Sequence, residues 1–210
     1  MTAVYLEVGK KLVFASAVDW PGWCRSGKSE ELALETLADY HPRYAVVTKQ
    51  ARIAFPRRFE FEVVERVPGS GATDFGVPEH IPACYGAAVS AAEAKRLTAL
   101  VRAAWTVFDR VAAGAPAELR KGPRGGGRDR DKMIDHVLEA ESSYSRMLGI
   151  KPRDLETDAL RDAIAAVLSA PSDGGPIAGK KWNQRYAASR IAWHVLDHAW
   201  EMEDKSEPAG

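Results

Sequence analysis

The chain has 210 residues, 46% of them hydrophobic, which suits one medium domain or two small ones with separate cores. Lysine plus arginine equals aspartate plus glutamate at 29 each, so no global field draws the protein to phosphate backbones or anionic lipid, and nucleic acid is excluded as a default partner. The only cysteines, Cys24 and Cys84, are too few for a disulfide scaffold and too far apart for a CxxC redox or zinc motif, so both read as small apolar residues.

The N-terminus meets Glu7 and Lys10–Lys11 too soon for a signal segment, and no later stretch has membrane-spanning apolar length, which implies a cytoplasmic protein with no membrane partner. Residues 5–8, 11–18 and 59–64 carry strand signals, the last with clean alternation, and predict a small sheet. Between them Ser29 precedes Glu30, Glu31, Ala33, Leu34, Leu37 and Ala38: a cap, first-turn acids and an apolar stripe that predict one helix over that sheet.

Residues 68–89 hold Pro68, Gly69, Gly71, Gly76, Pro78, Pro82 and Gly86, a density of breakers that marks a connection between units 1–86 and 87–210. From Ser90 the pattern becomes helical. A capping box at Ser90 and Glu93 leads into Leu97, Leu100, Val101, Ala104, Phe108 and Val111, stopping before Gly114 and Pro116. A second helix is predicted over 129–148, halted by Gly149 and Pro152, with Met133, His136, Val137, Ala140, Tyr144 and Met147 on its stripe. A third starts at Thr157, taken as its cap, and buries Leu160, Ile164, Val167 and Leu168. The fourth, 185–204, is apolar around much of its circumference and therefore buried on several sides. The fold class that follows is α+β: a small αβ module, then a four-helix bundle with a glycine-rich connection at 121–127.

His194 and His198 stand four residues apart on the fourth helix, so their rings project from one face about a turn apart. On their own they fit a metal pair or two satisfied core histidines about equally. His136 tips the balance, because it lies on the apolar stripe of a facing helix. Imidazole ligands suit a divalent transition metal, zinc or nickel foremost, and three of them leave a coordination position for water or substrate. The sequence His194-Val195-Leu196-Asp197-His198 lacks the glutamate of HExxH, which argues against a zincin-type peptidase.

The segments Met133–Val137 and Ala192–Trp200 resemble the DinB-like metalloprotein bundle over residues 90–205. That family takes one histidine from its second helix and HxxxH from its last, which maps onto His136, His194 and His198. Some members are transferases or isomerases that use low-molecular-weight thiols such as bacillithiol, mycothiol or glutathione. The resemblance therefore implies a metal-dependent thiol transferase acting on a small molecule, with a metal-dependent hydrolase or a non-catalytic metal-binding protein as alternatives and a homodimer left open. Residues 19–24 with 29–34 are similar to the strand-helix module of HicB-like antitoxins, without any DNA-binding segment beside it.

Glu139 and Glu201 fall at helical spacing from the histidines, as base, partner to a ligand, or simply solvated acids. Arg190, a turn before His194, is a candidate grip for a carboxylate of cofactor or substrate, or a surface ion pair. The basic run 120–130 reads as a solvated connection rather than a phosphate loop, with an anion-binding lid as the sharper reading.

Overall fold

The structure, a computed structural model, describes residues 1–122, 126–153 and 155–206. Pro123, Arg124 and Gly125 of the basic run lie outside the described residues. The architecture is α+β, as the sequence predicts: a four-stranded sheet followed by long helices.

Strands β1 (Thr2–Val8) and β2 (Val13–Ala17) form an antiparallel hairpin. Its bend is tied by the Asp74 carboxylate, which accepts from the backbone N–H of Lys11 and Leu12 at 2.7 and 3.3 Å. With that tie in the bend, β2 begins two residues later than the strand signal at 11–18. Strand β3 (Cys24–Gly27) extends the hairpin, and β4 (Phe61–Pro68) returns parallel to β1, giving the order β3-β2-β1-β4. β3 is too short at four residues to alternate visibly. Two helices cross between β3 and β4: α1 (Glu30–Asp39), capped by Ser29 as expected, and α2 (His41–Gln50), which the periodicity does not announce. α2 starts on the ready-made φ of Pro42 rather than on a side-chain cap.

The breaker-rich connection contains the single turn α3 (Gly71–Asp74) and a 3-10 turn, Ala83–Gly86. Ser90 then opens α4 (Ala91–Gly114) through the anticipated capping box with Glu93. The remaining helices are α5 (Arg130–Met147), α6 (Thr157–Ser169) and α7 (Gln184–Ser206). Gly149 takes φ +78° after α5, the left-handed stop expected of it. The N-cap of α6 is Glu156, without a side-chain cap bond, so Thr157 is the first helical residue rather than the cap.

One apolar core runs from Val4, Leu6 and Trp23 of the sheet side through Leu97 and Phe108 of α4 to Ile191 and Leu196 of α7. The turn at residues 19–23 packs directly on α7. Gly22, at φ +89°, comes so close that a Cβ there would meet Leu196 Cδ1 at 2.8 Å and Ala192 at 3.0 Å, a spacing only glycine tolerates. Tyr40 stands edge-on to Trp200 at 5.1 Å, and Arg25 bridges to Asp197 at 2.7 Å. α7 is thus enclosed by both halves of the chain, which accounts for its nearly continuous apolar circumference. Among the described residues no helix is long and apolar enough to cross a membrane.

Candidate metal centre

Helix α5 presents His136, and α7 presents His194 and His198 from successive turns of one face. The three rings converge: one ligand atom from each lies within 4.8 Å of the others. Nε2 of His194 is 3.3 Å from Nε2 of His136, and ring centroids are 4.7 to 5.1 Å apart. Ligands about 2.0–2.1 Å from a tetrahedral ion stand roughly 3.3–3.4 Å from one another, so the His136–His194 spacing already fits.

The surroundings distinguish these rings from ordinary packed histidines. His194 is 7% exposed, its Nδ1 is buried without a hydrogen-bond partner, and its Nε2 faces another imidazole. A core histidine retained only for packing has its polar atoms satisfied. His198 Nδ1 lies 2.9 Å from a Glu201 carboxylate oxygen, and the other Glu201 oxygen accepts from Lys205 Nζ. If Nδ1–H of His198 donates to Glu201, Nε2 keeps its lone pair for the centre of the triad, the arrangement by which carboxylates orient metal-binding imidazoles.

Electrostatics favour the neutral form of two of the three rings. Burial pushes the His194 imidazole down to about 2, helped by the charges of His198, His136, Arg190 and Arg128. Burial also lowers His136, with Arg128 the next cause. The hydrogen bond from His198, with Lys205 behind it, holds the Glu201 carboxyl at about 2. Neutral imidazoles beside an ionised carboxylate are the state that binds a cation without first releasing protons.

This burial has a measurable consequence in metal-free protein. Unfolded His194 binds a proton below its ordinary value of 6.5, whereas the buried ring does not. The unfolded state therefore holds more protons, and stability falls as pH drops below 6.5, by up to about 1.4 kcal/mol per pH unit from this one group. Denaturant titrations at pH 6.5 and 5.0 in chelator should show that slope in the wild type and a flatter one in His194→Leu; equal slopes would remove His194 as the cause.

The other candidates are placed unequally. Glu201 contacts the triad directly through His198. Glu139 is exposed and touches none of the three rings, although its charge acts on His136. Arg190 donates to the carbonyl of Pro78 and lies over the rings of Trp193 and Tyr144 at 4.7 and 5.5 Å. Tyr144 stands edge-on to His194 at 5.7 Å. Its position two turns after His136 on the same stripe is the signal that marks it as a wall of the site, rather than plain core. Lys205, a turn beyond Glu201, is found by the same spacing.

Comparison with protein-family models, with curated proteins and with solved structures gives no match.

Proposed function

We propose that the protein is a metal-dependent transferase: His136, His194 and His198 hold one divalent transition-metal ion, and a low-molecular-weight thiol supplies the nucleophile. The convergence of three imidazoles from two helices carries this reading. It agrees with the pattern on which the resemblance to the DinB-like bundle rests, one histidine on the second bundle helix and two on the last. The bound ion would lower the pKa of a thiol or water at its open position.

The chain's own residues support an external nucleophile. Burial pushes both thiols up to about 12, Cys24 at the start of β3 and Cys84 beside the Glu65 carboxylate, so neither furnishes thiolate near neutral pH. Glu201 is engaged by His198 and Lys205 at once and orients the ligand rather than collecting a proton from water. Among these groups none is a free general base, which favours a thiol over water as the attacking species.

The test is to titrate cobalt-substituted protein with glutathione, mycothiol and bacillithiol, then supply generic electrophiles. Thiolate-to-metal charge transfer and metal-dependent conjugation are expected from at least one thiol. Silence of the spectrum toward all three, together with ester or amide hydrolysis, would replace the transferase with a hydrolase.

A further inference from the structure

A second cleft lies where the sheet module meets the C-terminal end of α7. It encloses about 370 Å³, within the roughly 300–1,000 Å³ of small-ligand sites. Arg25 and Tyr40 line it from the sheet module, Arg120 from the connection after α4, and Asp197 and Asp204 from α7, with the Glu201–Lys205 pair completing the wall.

Contacts fix these walls from both halves of the chain. Arg25 pairs with Asp197 at 2.7 Å, and its guanidinium lies 4.1 Å from the centre of the Tyr40 ring. Arg43 packs on the same ring at 5.1 Å and pairs with Asp204. Arg120 is tied twice to the end of α7: its backbone N–H donates to the Lys205 carbonyl at 3.1 Å and its guanidinium to the Asp204 carbonyl at 2.8 Å.

Bonding capacity of both kinds remains in the cleft. Nε of Arg25 is buried without a hydrogen-bond partner, a state that is unfavourable for a charged donor. Arg120 makes no ion pair among the described residues. Asp197 and Asp204 each commit Oδ1 to an arginine, and neither Oδ2 accepts a hydrogen bond among the described residues. Glu201 and Lys205, by contrast, are engaged with each other and with His198.

The lining holds three cations and three carboxylates. A simple anion or a simple cation would meet repulsion as well as attraction there, whereas a ligand with one group of each sign suits both sets. We propose that the cleft binds a small zwitterion of the α-amino acid type, with its carboxylate on the guanidinium groups of Arg25 and Arg120 and its ammonium on Asp197 and Asp204. Guanidinium groups match a carboxylate in shape and charge.

The experiment uses full-length protein in chelator, so that no amino acid is drawn to a metal. The twenty common amino acids are screened by melting temperature, and the best binder is titrated calorimetrically beside its N-acetyl and amide forms. The free zwitterion should bind about tenfold or more tightly than either blocked form, the loss expected when one charged hydrogen-bonding group is removed. Arg120 and Asp204 are exposed enough to replace without harm to the core. Arg120→Gln should weaken the free acid about tenfold and scarcely alter the amide, and Asp204→Asn should weaken the free acid and scarcely alter the N-acetyl form. The proposal is overturned if no amino acid raises the melting temperature, if the blocked forms bind as well as the free one, or if either variant keeps wild-type affinity. None of these outcomes touches the metal reading, because the protein is metal-free throughout.

Discussion

His194→Ala and His198→Ala should each weaken metal binding by more than about a hundredfold, because losing a residue that merely orients a ligand already costs about 10–100-fold. Glu201, bonded to His198 Nδ1 at 2.9 Å, is such an orienting residue. Glu201→Ala should therefore fall between wild type and the histidine variants. Metal that binds only the folded state adds stability by mass action, about 2.7 kcal/mol when free metal is a hundredfold above the dissociation constant. The wild type should show that gain and the histidine variants none. Each variant is compared with its own metal-free form, since removing a buried imidazole also leaves a cavity. Metal content by elemental analysis and melting temperature with and without metal decide the matter. Full occupancy in both histidine variants would exclude ligation by this pair.

The triad was legible because its signal is periodic. HxxxH on one helix and a histidine on the apolar stripe of another are statements about helix faces, and the faces formed where the spacing put them. Glu201 was legible on the same ground, but so was Glu139, and spacing cannot say which glutamate turns inward. The difference arises from packing: Glu201 lies on α7, enclosed by both halves of the chain, whereas Glu139 lies on the outer side of α5. Arg190 illustrates the opposite limit. Its position one turn before His194 was correct, yet its guanidinium is taken by the Pro78 carbonyl, a contact made across 112 residues that no local pattern encodes.

Fold legibility followed element length. Long helices with caps and stops, such as α4 between Ser90 and Gly114, declare both ends. β3 and α2 did not: one is four residues long and the other carries Pro42 in its first turn, a residue that locally reads as a break. Nor did the sequence disclose that residues 19–23, noted only for their HicB-like look, form the turn that seats on α7. That role depends on Gly22 meeting Ala192 and Leu196, and such partners are separated by most of the chain.

Arg161→Met should be among the most destabilising single substitutions in the bundle, at about 3–5 kcal/mol. Arg161 on α6 is nearly buried and donates through Nε to Glu141 of α5 at 3.0 Å and through Nη1 to Asp109 of α4 at 2.8 Å, tying three helices together. Glu141 is 1% exposed. Burial raises its carboxyl even with Arg161 beside it, so removing the guanidinium strands a charge in the core. Asp109, by contrast, is 55% exposed and its loss of a partner matters little. The cost should depend on pH with a definite sign. A carboxyl whose folded pKa lies above its unfolded value of 4.5 binds more protons when folded, so stability declines as pH rises through that window and the penalty is complete above the folded pKa. The deficit of Arg161→Met should therefore be full near neutral pH and shrink toward pH 4.5. Replacing both partners, Arg161→Met with Glu141→Leu, removes the stranded charge and should recover most of the loss. Guanidinium titrations of the two variants at two pH values make the comparison. A double variant as unstable as the single one would show that geometry rather than charge burial holds the three helices, because repacking would then have failed where neutralisation was expected to succeed.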